Sequence, residues 1–203
     1  MHNVRTDPLR ATRAQASNEY ARPQRRSVVR LLAAAVLAAQ VSFASADTTP
    51  YNKGVEAWRK QDYAQAAKQW SASVLSGDAN AMNNLAYLYF NGMGTERRTV
   101  DAVALWRVAA YAGQSESQWH LGYAYEQGIG VDKDLVAAYA WYGCAVETAR
   151  RLGVKDDSGA EAKIAEDAKS SLTALEGQLA PAARASALAL RDKLIPRYSA
   201  AVP

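Results

Sequence analysis

The feature that most constrains this chain is a ten-residue stretch that comes back. Leu85–Gly94, LAYLYFNGMG, recurs as Leu121–Gly130, LGYAYEQGIG, at an offset of 36 residues. The offset carries Leu85 onto Leu121, Tyr87 onto Tyr123, Tyr89 onto Tyr125, Gly92 onto Gly128 and Gly94 onto Gly130. Trp70 and Trp106 stand at the same spacing, as do Gly77 and Gly113. A fixed period in the mid-thirties marks a helical solenoid, in which one helix pair cannot bury its apolar face alone and must stack on the next.

Helix signals place the pairs. Tyr51–Lys60 has helical spacing, and Asp62-x-x-Gln65 is a capping-box pattern opening a second helix that runs to about Leu75, with Gly77 as its stop. Asp78 caps the next helix, with Met82, Leu85 and Tyr89 on one stripe ending at Asn91-Gly92. Thr99 or Asp101 starts the fourth, stopped by Gly113. Ser115-x-x-Gln118 reads as a capping box for the fifth, which ends at Gly128, and Asp134 caps the sixth, which frays near Leu152-Gly153. From Asp156 the repeat is lost, but Ser158-x-x-Glu161 reads as another box before a stripe of Ile164, Ala168, Leu172, Leu175 and Leu179. Pro181 fits a first helical position, and the last helix is expected to end before Pro196. The predicted fold is all-α: about three helix-turn-helix repeats over 47–155, a C-terminal helical cap over 156–196 and a loose tail over 197–203.

Residues 1–46 are read apart. Seven of the 24 Lys and Arg residues, but only two of the 20 acids, fall there, so the remainder has 17 bases against 18 acids and a formal charge of −1. The basic character therefore belongs to the leader, and the body lacks the electrostatic footprint of a nucleic-acid binder. Behind Arg25, Arg26 and Arg30 lies the apolar run Leu31–Ala39, followed by Ala44-Ser45-Ala46, a small-x-small cleavage site. This order is that of a secretory signal peptide cut after Ala46. The run is too short for a stable span, which needs roughly 20 apolar residues. The expectation is an exported chain, periplasmic or secreted, with no stable membrane span after cleavage. Arg25-Arg26 is compatible with twin-arginine export as well as with a plain basic region.

These residues resemble the Sel-one-like repeat family, relatives of the tetratricopeptide repeats. Its pattern, roughly AxxxLGxxYxxGxGVxxDxxxAxxWxxxAAxxG, is met by Leu121, Gly122, Tyr125, Gly128, Gly130, Val131, Asp134, Ala138 and Ala145, with Ser117 for the first Ala and Tyr142 for Trp. Ala81, Leu85, Ala86, Tyr89, Gly92, Gly94, Ala102, Trp106, Ala109, Ala110 and Gly113 match the copy before, where Thr95 and Arg98 depart from Val and Asp. Leu179–Ala189 is similar to the closing segment of many such proteins. The resemblance implies a right-handed α-solenoid that assembles complexes, in bacteria often in the envelope.

Catalytic and cofactor chemistry finds little support. No GK[ST] or GxGxxG completes either GxG pair, and turn glycines account for both. One His, His120, remains after the leader, too few for a His-based metal set, and no SxxK, GxSxG or HExxH is present. Cys144 is the single cysteine and reads as a buried thiol. The expectation is therefore no enzyme, cofactor or metal. The alternatives are a hydrolase acting on cell-wall or β-lactam compounds, which the resemblance implies for a few cysteine-rich relatives, and a purely structural envelope-assembly protein.

The remaining candidates are positions on the first helix of each pair that the stack itself does not need. They align as Asn52/Asn84/His120, Tyr51/Asn83/Trp119 and Val55/Tyr87/Tyr123. Asn offers both donor and acceptor to a peptide backbone, and Tyr and Trp give large contact area at low entropy cost. Asn52, Asn83, Asn84, Tyr87, Trp119, His120 and Tyr123 are thus predicted to face a concave groove that takes a protein or peptide partner.

Overall fold

Helix starts follow side-chain acceptors. In the computed structural model, which describes residues 49–154 and 158–199, Thr49 Oγ1 accepts from Asn52 N (3.2 Å) and opens α1, Pro50–Arg59. Asp62 Oδ1 accepts from Gln65 N (3.0 Å) at the head of α2, Tyr63–Val74. Asp78 Oδ1 accepts from Asn80 N and Ala81 N (2.9 and 3.1 Å) at α3, Ala79–Asn91. Its other oxygen accepts from Ser73 Oγ (2.9 Å), which joins the end of α2 to the start of α3. Such caps satisfy N–H groups that no preceding turn can bond, and each is worth about 1 kcal/mol.

α4, Thr99–Tyr111, completes the second pair, and the third is α5, Ser115–Gln127, with α6, Leu135–Gly153, capped by Asp134. Gly92 and Gly128, at φ 68° and 69°, close α3 and α5 in the left-handed conformation that only glycine adopts without steric cost. Two helices follow, α7 (Ala160–Glu176) and α8 (Pro181–Ser199). Among the described residues there are these eight helices and no strand, and no helix is long and apolar enough to cross a membrane.

Neighbouring helices pack in sequence order from α1 to α7, so each pair leans on the next. One aromatic ring from each second helix fills the wedge. Trp70, Trp106 and Tyr142 are each 1% exposed. They lie where the facing helix carries Gly54, Ala86 or Gly122. A Cβ on Gly122 would stand 2.7 Å from the Tyr142 ring, and one on Gly54 would overlap the Trp70 indole. Small residues opposite large rings let the backbones close up without voids.

The end of the stack is covered by the chain itself. α8 lies over α6, where Ala140 and Cys144 are fully buried with Leu194 beside them. One repeat earlier the matching residues on α4, Ala104 and Val108, are both exposed, Val108 to 55%. α7 packs along α6 and also reaches α5.

Several sequence-based expectations need correction. Ser115 is not a cap: Gln114 Oε1 accepts from Ser117 N, and the Ser115 hydroxyl instead donates to Glu161 Oε2 (2.7 Å). Ser158-x-x-Glu161 forms no box either, since Gly159 precedes the helix and Glu161 is buried toward α5. Both residues bond across helices rather than along one. The last helix does not stop before Pro196 but continues to Ser199, so the tail begins later than expected. The signal-peptide reading of 1–46 and the end of the tail, 200–203, lie outside the described residues.

Candidate functional site

A cavity of about 720 Å³ opens between the first helices of successive pairs. α3 contributes Tyr87, Phe90 and Asn91; α5 contributes Glu116, Trp119, His120 and Tyr123; Trp106 reaches it from α4. The remaining wall comes from the head of α7, Ser158–Ala160 with Lys163, Ile164 and Asp167. Helical spacing explains the convergence. Glu116, His120 and Tyr123 are four and three residues apart on α5, and Tyr87 and Asn91 are four apart on α3, so each set shares one helix face.

His120 is the centre of the aromatic floor. Its ring stacks on Trp106 at 4.6 Å and 21°, with Trp119 at 5.0 Å and Tyr87 at 6.0 Å. Only 7% of the residue is exposed. Glu116 Oε1 lies 3.7 Å from His120 Nε2 and favours the protonated ring. Burial outweighs it and holds the imidazole down to about 3, so His120 is neutral at ordinary pH. At 3.7 Å the pair is not a hydrogen bond. Among the described residues, His120 Nε2 and Trp106 Nε1 are buried without a hydrogen-bond partner.

Beneath the floor runs a polar network. Asn83 Nδ2 donates to Glu116 Oε2 (3.1 Å), and Ser117 Oγ donates to Asn83 Oδ1 (2.9 Å). Contacts that tie the wall from α7 to α5 include Ser115 to Glu161, and Trp119 Nε1 donating to Ser171 Oγ (3.4 Å). At its edge Lys163 Nζ pairs with Asp167 at 2.6 Å.

Of the residues singled out in the sequence, Tyr87, Trp119, His120 and Tyr123 line this one cavity. Asn83 and Asn84 are 1% and 6% exposed and outside the lining, so the expectation that they face the groove is corrected. They lie at the joint between α3 and α5, where Asn83 is spent on the network just described. Asn52 is half-buried on α1 and outside the lining. Sequence reasoning missed Phe90, Asn91, Trp106, Glu116 and the α7 residues. Extending the candidate stripe by one turn from Tyr87 and His120 reaches Asn91 and Glu116. The α7 residues had no such signal, because the repeat ends before them.

The Sel1 repeat model matches residues 79–114 and 115–147, which span α3–α4 and most of α5–α6. One similar solved structure is a protective antigen present in uropathogenic Escherichia coli strains that displays an SLR fold. It is 21% identical, with a TM-score of 0.63, over 85% of this chain and 34% of that one. Another is a Sel1 repeat protein from Oxalobacter formigenes, 29% identical, with a TM-score of 0.46, over 51% of this chain and 45% of that one. The chain thus spans less than half the length of either. No curated protein matches it.

Proposed function

We propose, for a chain that carries two Sel1 repeats, an exported scaffold that holds a peptide or protein surface of a partner in the cavity between α3, α5 and α7. Sel1 repeats suggest a protein–protein interaction scaffold, and proteins built from them are generally non-catalytic. The finer reading draws on one observation: six aromatic or imidazole rings, from Tyr87, Phe90, Trp106, Trp119, His120 and Tyr123, converge on a single cavity. A concave apolar wall with a few placed polar groups is the usual form of a binding site, and aromatic anchors carry much of interface energy.

Export to the envelope follows from the order of basic region, apolar run and Ala44-Ser45-Ala46 in the leader. A fusion of residues 1–60 to alkaline phosphatase, which is active only outside the cytoplasm, tests it. Inactive fusion protein retained inside cells would remove this part of the proposal.

The binding reading is tested by capture from envelope extract with the chain and with its Asn91→Ala/Tyr123→Ala variant. Both positions are exposed, so the variant leaves the core intact. Loss of one or more captured proteins at unchanged melting temperature supports the groove; an identical set sinks it.

A further inference from the structure

The second helices of the pairs repeat one outer stripe. On α4 it is Val100, Ala104, Val108 and Tyr111, at spacings of four, four and three that keep them on one helix face. Val100 is 68% exposed, Val108 55% and Tyr111 37%. Leu75, the Tyr111 position one repeat earlier, is 90% exposed. One repeat later the stripe includes Ala140 and Cys144 of α6, and there α8 covers it. The α6 stripe thus has its helix, while the α4 stripe beside it lies open. Contiguous exposed apolar residues of this kind mark interaction surfaces.

α8 is apolar on two sides. Ala187 and Leu194 are buried. Ala182, Ala185 and Ala189, at spacings of three and four, are exposed on the opposite side, with Leu188 at its edge.

We propose that two copies of this chain associate about a twofold axis, the outer side of α8 in each copy lying on the α4 stripe of the other. The α4 stripe continues, at the same register of the repeat, the surface on which α8 already lies within one copy. A second α8 placed there runs alongside the first. Its alanines leave room for Val100, Val108 and Tyr111 to enter between turns. One acid and one base edge each face, Asp101 with Arg107 and Asp192 with Lys193, so no single sign of charge accumulates. Both surfaces belong to the same chain, so the axis makes each contact twice. That doubling matters because a stable dimer buries about 800 Å² per partner, more than one helix seam supplies. None of these residues lines the cavity, so the dimer is independent of the groove reading.

Sedimentation equilibrium tests it on the protein isolated from cells that express the full 203-residue chain. At about 100 μM the mass should be twice the chain mass found by mass spectrometry. Val108→Glu puts a carboxylate into the seam from one side, and Ala185→Glu does so from the other. Each should weaken the dimer at least about tenfold with helix content unchanged, both positions being exposed in the single copy. Copies carrying Val108→Cys, mixed with copies carrying Ala185→Cys, should cross-link under mild oxidation, whereas either alone should not.

A single-chain mass at about 100 μM overturns the proposal and leaves the α4 stripe to a different protein. A dimer that either glutamate variant leaves intact overturns it as well. Masses that keep rising past two chains overturn the twofold closure, and cross-links between like positions alone overturn the pairing of α8 with α4.

Discussion

The Cα of Gly130 faces the Thr99 carbonyl so closely that a Cβ built there would overlap it. Gly94 meets Tyr63 and Ala64 in the same way one repeat earlier. The second glycine of each GxG thus seats the loop of one repeat on the start of the second helix in the repeat before it. Both also have positive φ, 65° and 74°.

Gly77 provides the comparison that separates these two demands. It has φ 82° but nothing within 4 Å of a built Cβ. Gly77→Ala should therefore cost about 1 kcal/mol, the left-handed penalty alone. Gly130→Ala should cost about 2 kcal/mol more, because rigid backbone rather than a flexible side chain must move. Urea unfolding of the two variants measures the difference, and equal losses would refute the seating role.

The cap is tied to the repeats by Ser115 and Glu161. Their bond is 2.7 Å long and buried, across 46 residues of chain. Glu161→Ala should destabilise by about 1–3 kcal/mol, since it leaves the Ser115 hydroxyl without that acceptor. Glu161→Gln should cost less. Amide exchange is expected to rise first in α7, before α3 or α4 is affected.

Acid should act through His120. In the unfolded chain this imidazole gains a proton below about pH 6.5, whereas in the native state it stays neutral down to about 3. The unfolded state thus binds more protons in that window, and stability falls as pH drops through it. His120→Phe keeps an aromatic ring against Trp106 and removes this contribution. The gap in pH dependence between the two proteins should grow to roughly 4 kcal/mol near pH 3, with the carboxylates acting on both. Parallel stability curves from pH 7 to 3 would contradict the burial argument.

Cys144 should be chemically silent. It is fully buried where α8 covers α6. A thiol reagent such as Ellman's should react at the rate at which the chain opens, and at once in guanidinium. Rapid reaction in buffer would show that α8 undocks easily.

How far residues alone led can be judged from particular positions. Asp62, Asp78 and Asp134 cap their helices as read, because a cap is a local contact between neighbours in sequence. Ser115 and Glu161 misled for the opposite reason. Each satisfies a local cap pattern, yet each bonds to the other across 46 residues. At the cavity, Tyr87, Trp119, His120 and Tyr123 were legible as repeat positions that the stack does not require. Asn83 and Asn84 belong to the same positions, but the joint between α3 and α5 buries them.

The sequence by itself determined the helical repeat, its 36-residue period and its stops, since period, caps and left-handed glycines are properties of short stretches. Where the cavity ends, and that its imidazole is uncharged, come from the packing of the helices. Its last wall is α7, which carries no repeat signal, and the neutrality of His120 arises from burial among rings drawn from three different helices. Burial is a property of the assembled stack, and no single repeat contains it.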